Sequence, residues 1–268
     1  MKKLDLKHYI KRNQYNYFKT YLNPTYGFNV DIDVTKLIEL NKEKNVSFFI
    51  VFMYYLMLGL NSVYELRLRE IKNEVYECET VNPTFTVLNN SGVYLNSGFE
   101  MDFDFDAFTK KCREIIEITK TLDIDDNLDR FPICNDPSAV YATTIPTLNY
   151  TSMSHPIPLG NYDSMSVTRA CFGKYFFKEN KCYVNLNLTV SHTLVDGLPL
   201  AQAFNNIQTL VLLPPKEAYE KYLELRKKYQ KYPQNSVNLI LLSKKNPEVN
   251  LFRFGIFYLL SLSIDKLS

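Results

Sequence analysis

The stretch Val190-Ser191-His192-Thr193-Leu194-Val195-Asp196-Gly197 decides how this chain is read. Ahead of it, from Cys182 to Val190, Val184, Leu186, Leu188 and Val190 alternate with Asn185, Asn187 and Thr189. That period of two predicts a strand with one apolar face. His192 continues the apolar register, so it points to the side of the core or a buried cleft. After Gly197 the period changes. Pro199 suits the first turn of a helix. Leu200, Phe204, Ile207 and Val211 then recur at helical spacing, with Ala203 and Leu210 beside them. A histidine therefore stands at a strand end, four residues before an Asp-Gly and just ahead of an amphipathic helix.

Outward from that point, Lys178-Glu179-Asn180-Lys181 reads as a hairpin turn joining the strand to another at about Ser166–Tyr175. Further strands are expected at about Ser138–Ala142 and Leu148–Ser152, within 64–90, and where Phe28, Val30 and Ile32 alternate with polar residues. An amphipathic helix is expected near Tyr9–Phe18, and Asp33 can cap a second through about Asn45. Ser47 can cap a third to about Asn61. Its run from Phe48 to Leu60 is apolar all round and too short to span a bilayer, which predicts a fully buried helix. A fourth helix is expected from about Asp106 to Lys120, followed by an acidic linker, Asp123–Asp129. Strands alternating with helices give an α/β class, one sheet covered by helices.

The totals exclude several functions. A chain of 268 residues that is 46% apolar and 22% charged fits a soluble protein with a sizeable core. A net charge of +2 gives no strong pull toward nucleic acid or acidic membranes. The five cysteines (Cys78, Cys112, Cys134, Cys171, Cys182) form no Cys-x-x-Cys pair, and His8, His155 and His192 are far apart, so no metal site is expected. The amino terminus has no apolar stretch of the kind a signal peptide needs, and reduced thiols in a cytoplasmic protein are the expectation. Beyond Pro214-Pro215 comes a charged helical stretch, Lys216–Lys231. Two apolar bursts follow, Val237–Leu242 and Leu251–Ile264. The second, interrupted by Arg253, gives no clear membrane span. Residues 1–213 read as one domain and 214–268 as an extension of unassigned role.

A His-x-x-x-Asp-Gly after a strand suits acyl transfer to a hydroxyl. A neutral imidazole takes the proton of the attacking alcohol and returns it to a leaving thiolate. The Asp can hold the loop through an ion pair, and the Gly permits a backbone that a larger residue resists. A lone histidine near a strand end is more often structural. A strand-end hydroxyl such as Ser152, or isolated apolar residues such as Phe18, Leu22 and Tyr26, would by themselves be assigned to the fold.

Ser191-His192-Thr193-Leu194-Val195-Asp196-Gly197 resembles the active-site signature of chloramphenicol acetyltransferases. The motif alone is shared with dihydrolipoyl acyltransferases, peptide-synthetase condensation domains and plant acyltransferases. The resemblance extends further, over about residues 4–213. Tyr9–Phe18 is similar to the family's first helix, and Val81-Asn82-Pro83-Thr84-Phe85-Thr86-Val87 to one of its strands. Pro146–Ser152 resembles the strand before its active-site serine, and Phe172-Gly173-Lys174-Tyr175 the start of the hairpin that leads to the histidine.

The resemblance implies a two-layer α/β sandwich, a mixed sheet covered by helices. It implies a homotrimer with active sites between subunits, acetyl-CoA as acyl donor, and a small-molecule hydroxyl as acceptor. That acceptor is chloramphenicol in the family, whose acetylation confers resistance. His192 would be the general base and Ser152 the donor to the oxyanion, with Thr151 as the fallback. Asp196 would pair with an amino-terminal cation, either Lys11 or Arg12, where the family has arginine. Phe18, Leu22 and Tyr26 match positions lining the acceptor pocket. Ser191 replaces the first of two adjacent histidines, Val195 a cysteine, Cys171 a threonine near the oxyanion site, and Tyr9 a tryptophan. These departures bear on the acceptor. The alternatives are an acyltransferase on another small alcohol and a non-catalytic trimeric relative.

Overall fold

The strand ahead of the histidine forms over Lys181–Ser191, and the sheet is built around it. The computed structural model describes residues 1–124 and 130–230. Most of the acidic linker and both apolar bursts of the tail lie outside these residues.

Ten strands are described in chain order. They are β1 (Lys2–Lys3), β2 (Thr25–Asp33), β3 (Leu68–Ile71), β4 (Glu74–Glu77), β5 (Asn82–Leu88), β6 (Tyr94–Gly98), β7 (Ala139–Ile145), β8 (Arg169–Gly173), β9 (Phe176–Lys178) and β10 (Lys181–Ser191). The helices are α1 (Arg12–Phe18), α2 (Thr35–Lys44), α3 (Phe48–Asn61), α4 (Phe105–Lys120), α5 (Tyr162–Met165), α6 (Gly197–Leu210) and α7 (Pro215–Gln230). The main sheet runs β2-β10-β8-β7-β5-β6, with β9 also pairing to β10. The β5–β7 and β7–β8 pairs are parallel, and the other pairs in this sheet are antiparallel. The sheet is therefore mixed. A small second sheet has the order β1-β4-β3.

Local chemistry accounts for these boundaries. The Ser47 hydroxyl accepts from the Ile50 amide and opens α3. Asp104 does the same for α4 through the Ala107 amide. Asn45 ends α2 in the left-handed conformation. Glu179 and Asn180 both take positive φ, the backbone of a two-residue hairpin turn whose twist matches its strands. Helix α3 is buried along nearly its whole length, as its composition predicts. It packs on α6 at Gly59, where a Cβ atom would lie 2.2 Å from the Ile207 side chain. Glycine is needed there for the close approach of the two helices.

Two expectations are revised. Residues 148–152 do not form a strand. Strand β7 stops at Ile145 ahead of Pro146, which has no amide hydrogen for a ladder. The segment then turns inward, and the Tyr150 hydroxyl donates to the Cys171 carbonyl at 2.7 Å. Gly173 allows this, since a Cβ there would lie 2.6 Å from the Leu148 carbonyl oxygen. The second revision concerns the polar alternation of β10, whose polar residues are buried as well. Asn185, Asn187 and Thr189 are 5%, 2% and 9% exposed. They bond among themselves and to β2: Asn185 donates to Asp31 at 2.8 Å and Thr189 to Asn187 at 3.0 Å, while the Asn185 amide oxygen is buried with no partner among the described residues.

Helix α7 packs on this core. Its Tyr222 stacks on Phe103 at 5.1 Å, Ala218 and Tyr222 are buried, and Arg226 donates to the Glu79 carbonyl. One compact unit spans Met1–Tyr229. Ending the chain at Leu213 strips these contacts. It is expected to cost about 3 kcal/mol or more, a Tm loss of roughly 6–12 °C against a chain ending at Gln230. Calorimetry of the two forms checks this, and equal Tm values would refute it.

Candidate active site

His192 follows the last paired residue of β10 and is fixed through its backbone. Its amide donates to the Pro24 carbonyl at 2.9 Å, just before β2. The chain then turns, with the amides of Leu194 and Val195 both donating to the Ser191 carbonyl. Ser191 itself is buried and shares a 2.7 Å hydrogen bond with the Thr193 hydroxyl. Ser191 thus serves the turn.

The imidazole is sandwiched by aromatic rings. Phe18, at the end of α1, stacks on it with centroids 3.8 Å apart and planes 13° apart. Tyr26 of β2 lies 4.6 Å away, tilted by 31°. Its hydroxyl donates to the Val195 carbonyl at 3.1 Å, tying β2 to the histidine loop. Burial raises the Tyr26 hydroxyl far above its ordinary value, with the Asp196 charge adding to the effect, so it stays neutral. Of the three residues matched to the acceptor pocket, Phe18 and Tyr26 flank His192. Leu22 lies on the turn between them, 64% exposed.

Asp196 sits on the Nδ1 side of the ring. Its Oδ1 is 3.4 Å from Nδ1 of His192, a contact longer than a well-formed hydrogen bond. Nδ1 is buried and makes no closer polar contact. The other carboxylate oxygen is 3.0 Å from Nζ of Lys11. Of the two candidate cations, Lys11 makes this pair, and Arg12 is exposed. Burial pushes the Asp196 carboxyl up, but His192 and the Lys11 ammonium outweigh it. The net effect holds it below the ordinary carboxylate value.

The sign of the resulting stability follows from linkage. A depressed carboxylate contributes stability that is fully present above its unfolded value near pH 4. That stability is lost as pH falls through the lower folded value. Asp196→Asn is therefore expected to be less stable than the parent at pH 7, with the difference shrinking by pH 3. Urea unfolding at the two pH values measures it, and a gap that widens in acid would contradict the assignment.

Ser152 is not brought to His192 within one chain. It is exposed, on the segment after β7. The carbonyl of its neighbour Met153 accepts from the Asn187 side chain at 3.5 Å. Asn187 precedes His192 by five residues along β10, roughly 16 Å of strand. No hydrogen bond or ring contact joins Ser152 and His192 among the described residues. Thr151 is likewise exposed. Cys171 is buried on β8 beneath Tyr150, and burial raises its thiol. A groove of about 900 Å³ lined by Tyr54, Phe103, Asp104, Pro215 and Tyr219 contains neither His192 nor Ser152. Among the described residues no group of three His, Cys, Asp or Glu side chains stands close enough to hold a metal ion.

The model of the chloramphenicol acetyltransferase family matches residues 1–208. The chain belongs to the chloramphenicol acetyltransferase family. The match covers β1 through nearly all of α6 and ends before α7. The enzyme of Clostridium perfringens is 26% identical over 204 residues, 74% of this chain and 90% of that protein. That of Bacillus pumilus is 24% identical over 205 residues, covering 76% and 90%. A solved chloramphenicol acetyltransferase superposes with a TM-score of 0.68 at 18% identity, over 77% of this chain and 97% of that one. The catalytic core of a 2-oxoacid dehydrogenase complex from Thermoplasma acidophilum shares the fold, with a TM-score of 0.56. The chain is an acyltransferase of this family, with the family's two-layer α/β fold. No helix among the described residues is long and apolar enough to cross a membrane.

One member of the site escaped the sequence reading. Glu65, in the 3₁₀ turn Glu65–Arg67, has a carboxylate oxygen 3.1 Å from Lys11 Nζ. It lies 54 residues from Lys11 in sequence, and no motif or periodicity marks it.

Proposed function

We propose that this enzyme transfers the acetyl group of acetyl-CoA to a hydroxyl of chloramphenicol. His192 is the general base and Ser152 the oxyanion donor, the two meeting between neighbouring subunits of a homotrimer. The observation that carries this reading is the asymmetry of the imidazole. Its Nδ1 edge faces Asp196, itself paired with Lys11, while Nε2 has no partner among the described residues. A carboxylate on Nδ1 favours the tautomer with the proton there, leaving the Nε2 lone pair to accept one. Phe18 and Tyr26 hold the ring plane, so this lone pair is aimed before substrate arrives.

In the reaction, Nε2 takes the proton of the acceptor hydroxyl as its oxygen attacks the thioester carbonyl. The negative charge that develops on the carbonyl oxygen needs a donor, and the exposed Ser152 hydroxyl of the adjoining subunit supplies one. Collapse breaks the carbon–sulfur bond, and the imidazolium returns its proton to the leaving thiolate. The product is an O-acetyl ester and free CoA. Masking that hydroxyl is what would make the activity a resistance function. Asp196 takes no proton in this sequence and orients His192. Residues 1–213 carry the catalysis, and the extension from residue 214 begins with a helix that braces the core.

The separation of Ser152 from His192 within one chain supports a site made from two copies. The test is thiol release from acetyl-CoA in the presence of chloramphenicol, read beside the oligomeric mass. Turnover by a trimer is the expected result. The departures at Ser191 and Cys171 favour a second reading, another small alcohol as acceptor. Turnover with such an alcohol and none with chloramphenicol would replace the substrate and keep the mechanism.

A further inference from the structure

We propose that Glu65 is a positioning residue for the catalytic loop. It would hold Lys11 through a second carboxylate beside that of Asp196, and so fix where Asp196 meets His192. The inference rests on the reading of His192 as the base, but it concerns a residue outside the signature. The Lys11 ammonium is bracketed by two carboxylates, 3.1 Å from Glu65 and 3.0 Å from Asp196. All three side chains are largely removed from water, at 23%, 15% and 34% exposed for Lys11, Glu65 and Asp196.

Lysine has a flexible four-carbon stem and a point charge, without the planar fork with which an arginine would grip a carboxylate at two points. A single carboxylate therefore leaves Lys11 free to swing. A second one, on a turn anchored by the buried Leu66 and Arg67, removes that freedom. The chain Glu65–Lys11–Asp196–His192 thereby connects the 3₁₀ turn to the imidazole.

Among the described residues, the other titratable groups that interact with this cluster are the hydroxyls of Tyr9, Tyr26 and Tyr64. Burial is the main cause raising each, Tyr64 to about 12 and the other two further, so all three are neutral near pH 7. Arg67, which faces Tyr64, is paired with Glu77 at 2.8 Å. With Glu65 in place, the three groups Glu65, Lys11 and Asp196 carry one net negative charge beside the histidine. Without it they carry none, and the imidazolium form of His192 loses stabilisation.

The test compares wild type, Glu65→Gln and Glu65→Asp in the thiol-release assay across pH. His192 is titrated in each by NMR, which is tractable with three histidines in the chain. In Glu65→Gln, kcat is expected to fall about tenfold to a hundredfold, the scale of a slightly misplaced reacting group, while KM changes little. The acid limb of the profile and the His192 titration should both move down by about half a pH unit. Glu65→Asp should recover part of both. A histidine titration that stays put in Glu65→Gln overturns the proposal, even if kcat or Tm falls, because Glu65 would then serve folding alone. If wild type does not turn over chloramphenicol, the substrate reading fails, and the titration still decides the role of Glu65.

Discussion

Replacing His192 by alanine is expected to lower kcat/KM for acetyl transfer by about 10²–10⁴, the usual contribution of a positioned base. That is roughly 3–5 kcal/mol of transition-state stabilisation. The loss should fall on kcat, since the role proposed for the imidazole is to act on the proton in flight. The fold should survive. The backbone amide of His192 still reaches Pro24, and Tyr26 still donates to Val195. What disappears is the ring between Phe18 and Tyr26. Steady-state kinetics beside a melting curve separate the two effects. Undiminished turnover in the alanine variant would sink the mechanism, and a collapsed Tm would show that the ring is chiefly structural.

Removing the Ser152 hydroxyl should cost nearly as much. Loss of one oxyanion donor typically lowers kcat by about 10²–10³. Ser152→Ala is expected to do this with little change in stability, because the side chain is exposed and makes no hydrogen bond among the described residues. The arrangement also makes a sharper prediction. If each site takes His192 from one subunit and Ser152 from its neighbour, the two inactive variants should complement each other. One site in every mixed trimer would inherit both groups, and random mixing of equal amounts should restore about a quarter of wild-type activity. Co-refolding or co-expression measures it. Failure to complement, with mixed trimers verified by mass, would place both groups in one chain or remove Ser152 from the mechanism.

Much of the fold was legible in the sequence because its signals are local. The alternation of Val184, Leu186, Leu188 and Val190 gave β10, Ser47 ahead of an apolar run gave α3, and the change of period after Gly197 gave α6. The segment 148–152 was misread because Leu148 and Tyr150 look like strand residues. Their fate depends on a tyrosine hydroxyl finding the Cys171 carbonyl on β8 and on Gly173 leaving room, neither of which is local. The buried polar face of β10 was hidden for a related reason. Asn and Thr alternate alike whether they meet water or each other.

The site divides in the same way. Sequence alone placed His192 at a strand end, four residues before an Asp-Gly that opens a helix, since periodicity and spacing are properties of the chain itself. The resemblance to the family narrowed the cation to two neighbours, Lys11 and Arg12. Which of them reaches Asp196 depends on the direction in which α1 leaves the small sheet, and only the folded structure decides that. The structure alone also sets Phe18 and Tyr26 against the imidazole, and holds Ser152 away from it. It brings Glu65 to Lys11 across 54 residues, a contact that the pattern of neither segment encodes. The physical reason is range. Periodicity and capping act over a few residues, whereas an ion pair or a ring stack needs its partners only in space.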